Sequence, residues 1–273
     1  MSKLQDPWGR ADALGDVLRQ DRRRSLAALA PSLLVTLIVL WAFGYSQAFD
    51  LKRYQDALPT IWALASDSLP ADFSRWSHWG KPLMETMATS IAGTVLGALT
   101  AMPLGLLAAR NLAPAWISRG CQLLLNMIRS IPDMVWGVLF VAAVGFGPLP
   151  GIFALAIHST GMLGKFYAEI IEHVDPAPGA ALKAQGVSPL GVVRFAVWPQ
   201  ILPRLADVTL YRWEHNLRAA TVLGVIGAGG LGLEIITAFH LFEYREASAL
   251  ILLLLALVSL VHGLSGRLRR SLS

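Results

Sequence analysis

The chain has 273 residues, of which 55% are hydrophobic and only 15% charged, and its mean hydropathy is +0.53; a soluble domain of this size would carry more charge, so the composition is that of a membrane protein. A pI near 9.7 invites a nucleic-acid partner, but the basic residues are spread between apolar runs without a basic face or an aromatic–basic module, which excludes that class. The single cysteine, Cys121, excludes an internal disulfide framework.

Residues 1–25 are polar, end in Arg19, Arg22, Arg23 and Arg24, and read as a cytoplasmic segment. The apolar run that follows, residues 26–45, is long enough to cross a bilayer. Ser46-Gln47-Ala48 looks like a signal-peptide cleavage site, yet the apolar core exceeds the roughly 7 to 15 residues of a signal, so a retained anchor is expected. Charges mixed with Trp62, Trp76 and Trp79 then suit a periplasmic loop with a helix along the membrane interface, and residues 26–84 form one segment of the expected organisation.

A transmembrane domain is expected over residues 85–273. Its first span, 87–109, is uncharged, and Gly93 and Gly97 there are either a small-xxx-small step for a neighbouring helix or plain intramembrane glycines. Spans at 121–144 and 149–171 follow, joined by Gly147-Pro148-Leu149-Pro150-Gly151. Another, at 205–226, is interrupted by Gly227-Ala228-Gly229-Gly230-Leu231-Gly232, and a short amphipathic piece ending near Tyr244 leads to the last, 247–264. The fold class is therefore all-α and polytopic, with about six transmembrane helices and no inverted repeat.

Between the fourth and fifth spans lies a polar, proline-punctuated island, residues 175–203. Asp175 before Pro176 is an N-cap followed by proline at the first helical position, and Gly186 supplies a left-handed stop. Ser188 and Pro189 repeat the start signal, and the second helix is expected to run until Trp198 and Pro199 break it. The result is a helical elbow with Val187 and Leu190 near its bend, presenting an apolar tip to something outside the chain.

Six spans put both termini on one side. With the N-terminus inside, cytoplasmic segments hold fourteen of the 23 lysines and arginines, periplasmic segments five, and the spans four, which makes the elbow cytoplasmic. The four within spans are Arg129, Lys165, Arg212 and Arg218, each costing about 2.5 to 3.5 kcal/mol at a helix centre. Arg218 is expected to lie deepest. Internal pairing, Glu214 with Arg218 and Lys165 with Glu169, is one account of them. The other is that Arg129, Ser130, Arg212, Asn216 and Arg218 line a path for an anion, since a guanidinium donates a fixed fork of hydrogen bonds to a tetrahedral oxyanion.

Several motifs carry no chemistry. Gly227 to Gly232 fits G-x-G-x-x-G but continues a membrane helix, so the glycines read as a hinge or a close-packing break. Gly164-Lys165 lacks the P-loop's first glycine, and Phe166 stands where Ser or Thr belongs, so the chain is not expected to hydrolyse ATP. His158, His173, His215, His240 and His262 show no H-E-x-x-H spacing, and no metal site is expected.

The island resembles the cytoplasmic loop of binding-protein-dependent ABC importer permeases, whose pattern is Glu-Ala-Ala, three residues, Gly, nine residues, Ile-x-Leu-Pro. Gly186 and Pro199 sit at the family spacing; Ala180, Ala181 and Leu182 fill the first triplet, and Ala196 and Trp198 the later apolar positions. The stretches from Arg129 to Trp136, His158 to Lys165 and Tyr211 to Arg218 are similar to the phosphonate-importer branch. The resemblance implies a type I ABC importer permease in the bacterial inner membrane, moving phosphonate, phosphite or hypophosphite by alternating access. It implies a second permease subunit, identical or a homologous sister, and a periplasmic substrate-binding protein. Two cytoplasmic ATP-binding subunits would hold ATP and Mg2+, with no cofactor on this chain. The elbow, from Ala180, Ala181 and Leu182 through Gly186, Val187, Ser188, Pro189 and Leu190 to Pro199, would couple to the ATPase. A methionine permease is an alternative within the class, because those permeases share a G-A-G-G-L-G-like segment. A secondary carrier using Glu214 and His215 for protons is an alternative outside it.

Overall fold

The computed structural model describes residues 31–272; the expected cytoplasmic segment 1–25 and the start of the first apolar run lie outside the described residues. The chain divides into two units, Met1–Leu64 and Ala65–Ser273. In the first, helix α1 (Pro31–Tyr45) exposes its whole apolar surface. Trp41 stacks on Tyr45 at 5.6 Å and Phe43 meets Phe49 at 5.8 Å, an aromatic collar of the kind favoured where hydrocarbon gives way to headgroups. Helix α2 (Leu51–Asp67) crosses the boundary between the units.

In the second unit a turn leads to α3 (Gly80–Ala108). The Asp72 carboxylate accepts from the Ser74 N–H at 2.8 Å, which holds its carboxyl below the usual range. Trp79 departs from the interfacial role expected of it: it is 3% exposed, and its indole donates to Glu246 Oε1 at 3.3 Å, while Glu246 also receives Arg75 at 2.9 Å.

The architecture is built on a parallel pair, α3 against α6 (Pro148–Glu172). Gly93, Gly97 and Gly105 fall on one face of α3, where an added Cβ would stand 2.6 Å from Leu155 Cβ, 2.5 Å from Ser159 Cβ and 2.8 Å from Tyr167 Cβ respectively. Here the small residues are a packing face, because without a strong hydrophobic drive between helices close backbone approach supplies the attraction. On its other side α6 offers Gly161 and Gly164 to α4 (Ala115–Ser130), running the opposite way, with Leu125 filling the space over Gly164. Helix α9 (Trp198–Leu223) closes the group, one core gathering Leu163, Tyr167, Ile201 and Leu205 and another Leu155, Ala220 and Leu223. Helices α10 (Gly230–His240) and α11 (Tyr244–Leu272) cover a third, around Trp79, Leu231 and Leu250.

Among the described residues two helices are long and apolar enough to cross a membrane, Trp76–Ala108 and Tyr244–Ser271, or up to four if two bent pairs each count as one span. The expected third span is one such pair: α4 and α5 (Asp133–Val144) meet at 82°. Pro132 has no N–H to continue the helix and holds Ile131 extended, at ψ 122°. The other pair joins Leu190–Ala228 to α10 at 58°.

Candidate functional site

The elbow begins as its residues dictate. Asp175 Oδ1 accepts from the Ala177 N–H at 2.9 Å and caps α7 (Pro176–Ala184). At the far end Gly186 has φ +79°. Its N–H reaches the Lys183 carbonyl at 3.0 Å and the Val187 N–H the Leu182 carbonyl at 3.1 Å, the paired bonds of a Schellman stop. Ser188 Oγ then accepts from the Gly191 N–H at 3.3 Å and opens α8 (Pro189–Val192).

The second helix does not stop at Trp198 and Pro199 as expected. A π-helical turn, Val193–Val197, carries it into α9, the Trp198 N–H bonding the Val193 carbonyl. The wider turn accommodates the proline that a regular α-helix would reject. Gln200 then ties the elbow to α9. The Asp175 N–H donates to its Oε1 at 3.1 Å, and its Nε2 donates to the carbonyls of Asp175 at 3.3 Å and Ala196 at 2.7 Å. Ala196 and Val192 are buried, with Gly179 of α7 against Val192. Leu190 at the tip is 80% exposed, while Val187 packs over Gly191. Ala180 and Ala181 are exposed and Leu182 is half-buried.

A second group of polar residues converges on the α4–α5 break. Arg212, 5% exposed, donates from Nε to Ser159 Oγ at 3.0 Å. Asn216, one turn on and fully buried, donates to Ser159 Oγ and Thr94 Oγ1, both at 2.8 Å. Arg212 Nη2 and Asn216 Oδ1 are buried without a partner. His158, next to Ser159, bonds the Ile131 carbonyl at the break through Nδ1 at 3.1 Å. Arg212 and Asp133, at the start of α5, lie within electrostatic range of both His158 and His215; Arg218 is in range of His215.

The expected path residues therefore separate. Arg212 and Asn216 stand inside the bundle, whereas Arg129, Ser130 and Arg218 are exposed on its surface. The residue enclosed by protein is Arg212, not Arg218. Glu214 does not pair with Arg218: its carboxylate receives Arg269 and His262, the latter at 2.8 Å, because α9 turns that face towards α11. The Lys165–Glu169 pair is present at 3.6 Å. Sequence spacing did not single out Asp133, His158 and His215 as a group; the available signals were the Arg-Ser-Ile-Pro-Asp break and the i, i+3 step from Arg212 to His215. Among the described residues no group of three His, Cys, Asp or Glu is placed to hold a metal ion.

The glycine run is a tightly held break. Gly227, Gly229 and Gly230 have φ of +103°, +76° and +74°, and a Cβ on Gly232 would strike the Thr221 carbonyl. The first N–H groups of α10 are taken by side chains of α3, Gly230 by Glu85 Oε2 at 3.0 Å and Leu231 by Thr86 Oγ1 at 2.9 Å, satisfying donors that a helix start leaves open.

Residues 101–273 match the family model described as binding-protein-dependent transport system inner membrane component. A phosphite transport system permease protein of Stutzerimonas stutzeri is 47% identical over 234 residues, covering 85% of each chain. A putative phosphite transport system permease protein from the same organism is 35% identical over 95% of this chain and 90% of its own. A chain of an inward-facing methionine ABC transporter superposes with a TM-score of 0.62 over 71% of this chain and 96% of that one, at 22% identity, a likeness of fold.

Proposed function

This chain belongs to the binding-protein-dependent transport system inner membrane components, with the fold of a type I ABC importer permease, and from that premise we propose that it moves phosphite, phosphonate or a related phosphorus oxyanion across the bacterial inner membrane. The substrate class rests on relatives named for phosphite transport. The observation in the structure that carries it is the cationic surplus near the α4–α5 break, where Arg212 lies in range of Asp133, Arg218 lies in range of His215 and Arg129 ends α4. The methionine alternative has behind it a likeness of fold and a more distant sequence match, 23% identical over 56% of this chain. A gradient-driven carrier would have no use for the elbow.

In this reading the chain works as one of two permease subunits, with both termini cytoplasmic and several passes through the membrane. The exposed Leu190 tip docks on an ATP-binding subunit, which holds ATP and Mg2+ and performs the hydrolysis. Because α7 is clamped to α9 through Gln200 and α8 runs on into α9, closure of the ATPase pair would move the elbow and α9 together. A ligand shifts only states that it binds unequally, so ATP favours one helix packing over the other. A periplasmic binding protein then releases the anion into the open path, past Arg129, Ser130 and Arg218, while Arg212 and Asn216 hold the wall behind. Gly227, Gly229, Gly230 and Gly232 form the hinge about which the last helices reseat.

The test is uptake of labelled phosphite into liposomes holding the complete complex with its binding protein. ATP-dependent uptake is expected, with Arg129→Gln and Arg218→Gln abolishing it while leaving an assembled complex. Uptake driven by a pH gradient without ATP, or no transport of any phosphorus oxyanion, overturns the proposal.

A further inference from the structure

The break between α4 and α5 leaves backbone without helical partners just beyond the last turns of α4, which Gly161 near the centre of α6 meets at Leu125, Ile128 and Arg129; if the bent pair counts as one span, the break lies inside it. Such backbone is tolerated at that depth only where it is buried in protein or lines a wet cavity. Ile131 and Pro132 are exposed on the surface of this single chain, which fits a break that lines the path between the two permease subunits proposed above. What surrounds the break is a mixture of donors and acceptors. Arg212 Nη2 is a buried cationic donor without a partner, and Arg218 adds a second cation. On the acceptor side stand the Asp133 carboxylate and His158. Because a carbonyl only accepts, the Nδ1 of His158 that meets Ile131 O must carry the proton. In the neutral ring Nε2 is then a bare acceptor, a tautomer fixed by the backbone of the break itself.

A fully deprotonated anion would be repelled by Asp133 and by that lone pair. An oxyanion that keeps one hydroxyl satisfies both sides: its charged oxygens take the arginine hydrogen bonds, and its O–H donates to the histidine. We propose that His158, with His215 beside Arg212, forms a mid-span station selecting a singly protonated tetrahedral oxyanion, such as hydrogen phosphite, over one without a hydroxyl, such as sulfate. This inference rests on the functional reading above and adds to it a discrimination made by the permease itself, independent of any binding protein. The groups facing His158 are Asp133 of α5 and Arg212 and His215 of α9.

The test uses the detergent-solubilised permease with its ATPase subunits, without binding protein, and reads line broadening of the phosphite 31P signal. Wild type should broaden it, and excess unlabelled sulfate should leave the broadening in place. His158→Phe removes the acceptor and should weaken binding roughly tenfold or more, as loss of a hydrogen bond to a charged ligand does. His158→Gln, which keeps an acceptor and a donor for Ile131, should bind within about threefold of wild type on the same scale. Melting temperature and basal ATPase activity report whether each variant is folded; should His158→Phe fail to assemble, His215→Phe carries the same expectation. Unchanged broadening in a folded phenylalanine variant, or sulfate displacing phosphite as well as phosphite displaces itself, overturns the station. If wild type imports no phosphorus oxyanion in liposomes, the functional reading falls; if it imports phosphite while the folded variants bind as before, only the station falls.

Discussion

Replacing Gly97 by alanine should reach the Arg212 network through the backbone, without touching the arginine. The new Cβ would stand 2.5 Å from Ser159 Cβ and 3.0 Å from the Ala156 carbonyl, where ordinary contact begins near 3.4 Å. Helices α3 and α6 would therefore part by about 1 Å, an overpacking that costs about 1–3 kcal/mol. The same displacement moves the hydroxyl that receives Arg212 Nε and Asn216 Nδ2. Leaving a buried donor unsatisfied adds about 1–3 kcal/mol, so the total is about 2–6 kcal/mol, a large share of the 5–15 kcal/mol typical of a folded protein. Gly120, in α4, has nothing within 4 Å, and its alanine variant should gain up to about 1 kcal/mol from helix propensity. Thermal unfolding followed by tryptophan fluorescence in one detergent compares the two directly. A Gly97→Ala protein as stable as the Gly120→Ala control would refute the claim that this face is closely packed and tied to the polar network.

Three further outcomes are expected. Gln200→Ala removes the clamp between the Asp175 backbone and α9 at a cost of about 1–2 kcal/mol, and should lower transport per ATP hydrolysed while melting stays within a few degrees; unchanged coupling would count against rigid transmission. Glu214→Leu removes the carboxylate that receives Arg269, leaving it Asp207 and Ser265, and should destabilise by about 1–3 kcal/mol, whereas the double variant with Arg269→Met should recover most of the loss; equal damage from single and double variants would deny the pairing. Leu190→Cys, at the exposed tip, should crosslink to the ATP-binding subunit, and labelling of that cysteine from outside intact cells would reverse the proposed topology.

Local chemistry was readable where the deciding partners are neighbours in the chain. Asp175, Gly186 and Ser188 act at the positions their side chains favour, and the four-residue step from Gly93 to Gly97 does mark a packing face. Reading failed where a local rule met a tertiary remedy. Pro199 should end a helix, but a π-helical turn spares it; Pro132 was passed over because the apolar run was judged by its length, and there the break is real. A single helix shows Glu214 only its i, i+4 neighbour Arg218, one of the two accounts open for these charges, whereas its partners, His262 and Arg269, come from α11. The group around Arg212 is assembled from α3, α5, α6 and α9, and no spacing rule spans elements so far apart in sequence.

The uninterrupted passage from α8 through α9 has a geometric consequence. At about 1.5 Å per residue the stretch from Leu190 to Ile226, before the non-helical Gly227, is roughly 55 Å long, well beyond the roughly 30 Å of a hydrocarbon core. At the tilts of roughly 0–40° usual for membrane helices, so long a rod must project well into water at one end. Pivoted at the glycines, it would sweep that end through about 10 Å for every ten degrees of tilt, so a modest reorientation within the lipid corresponds to a generous stroke at the protruding end.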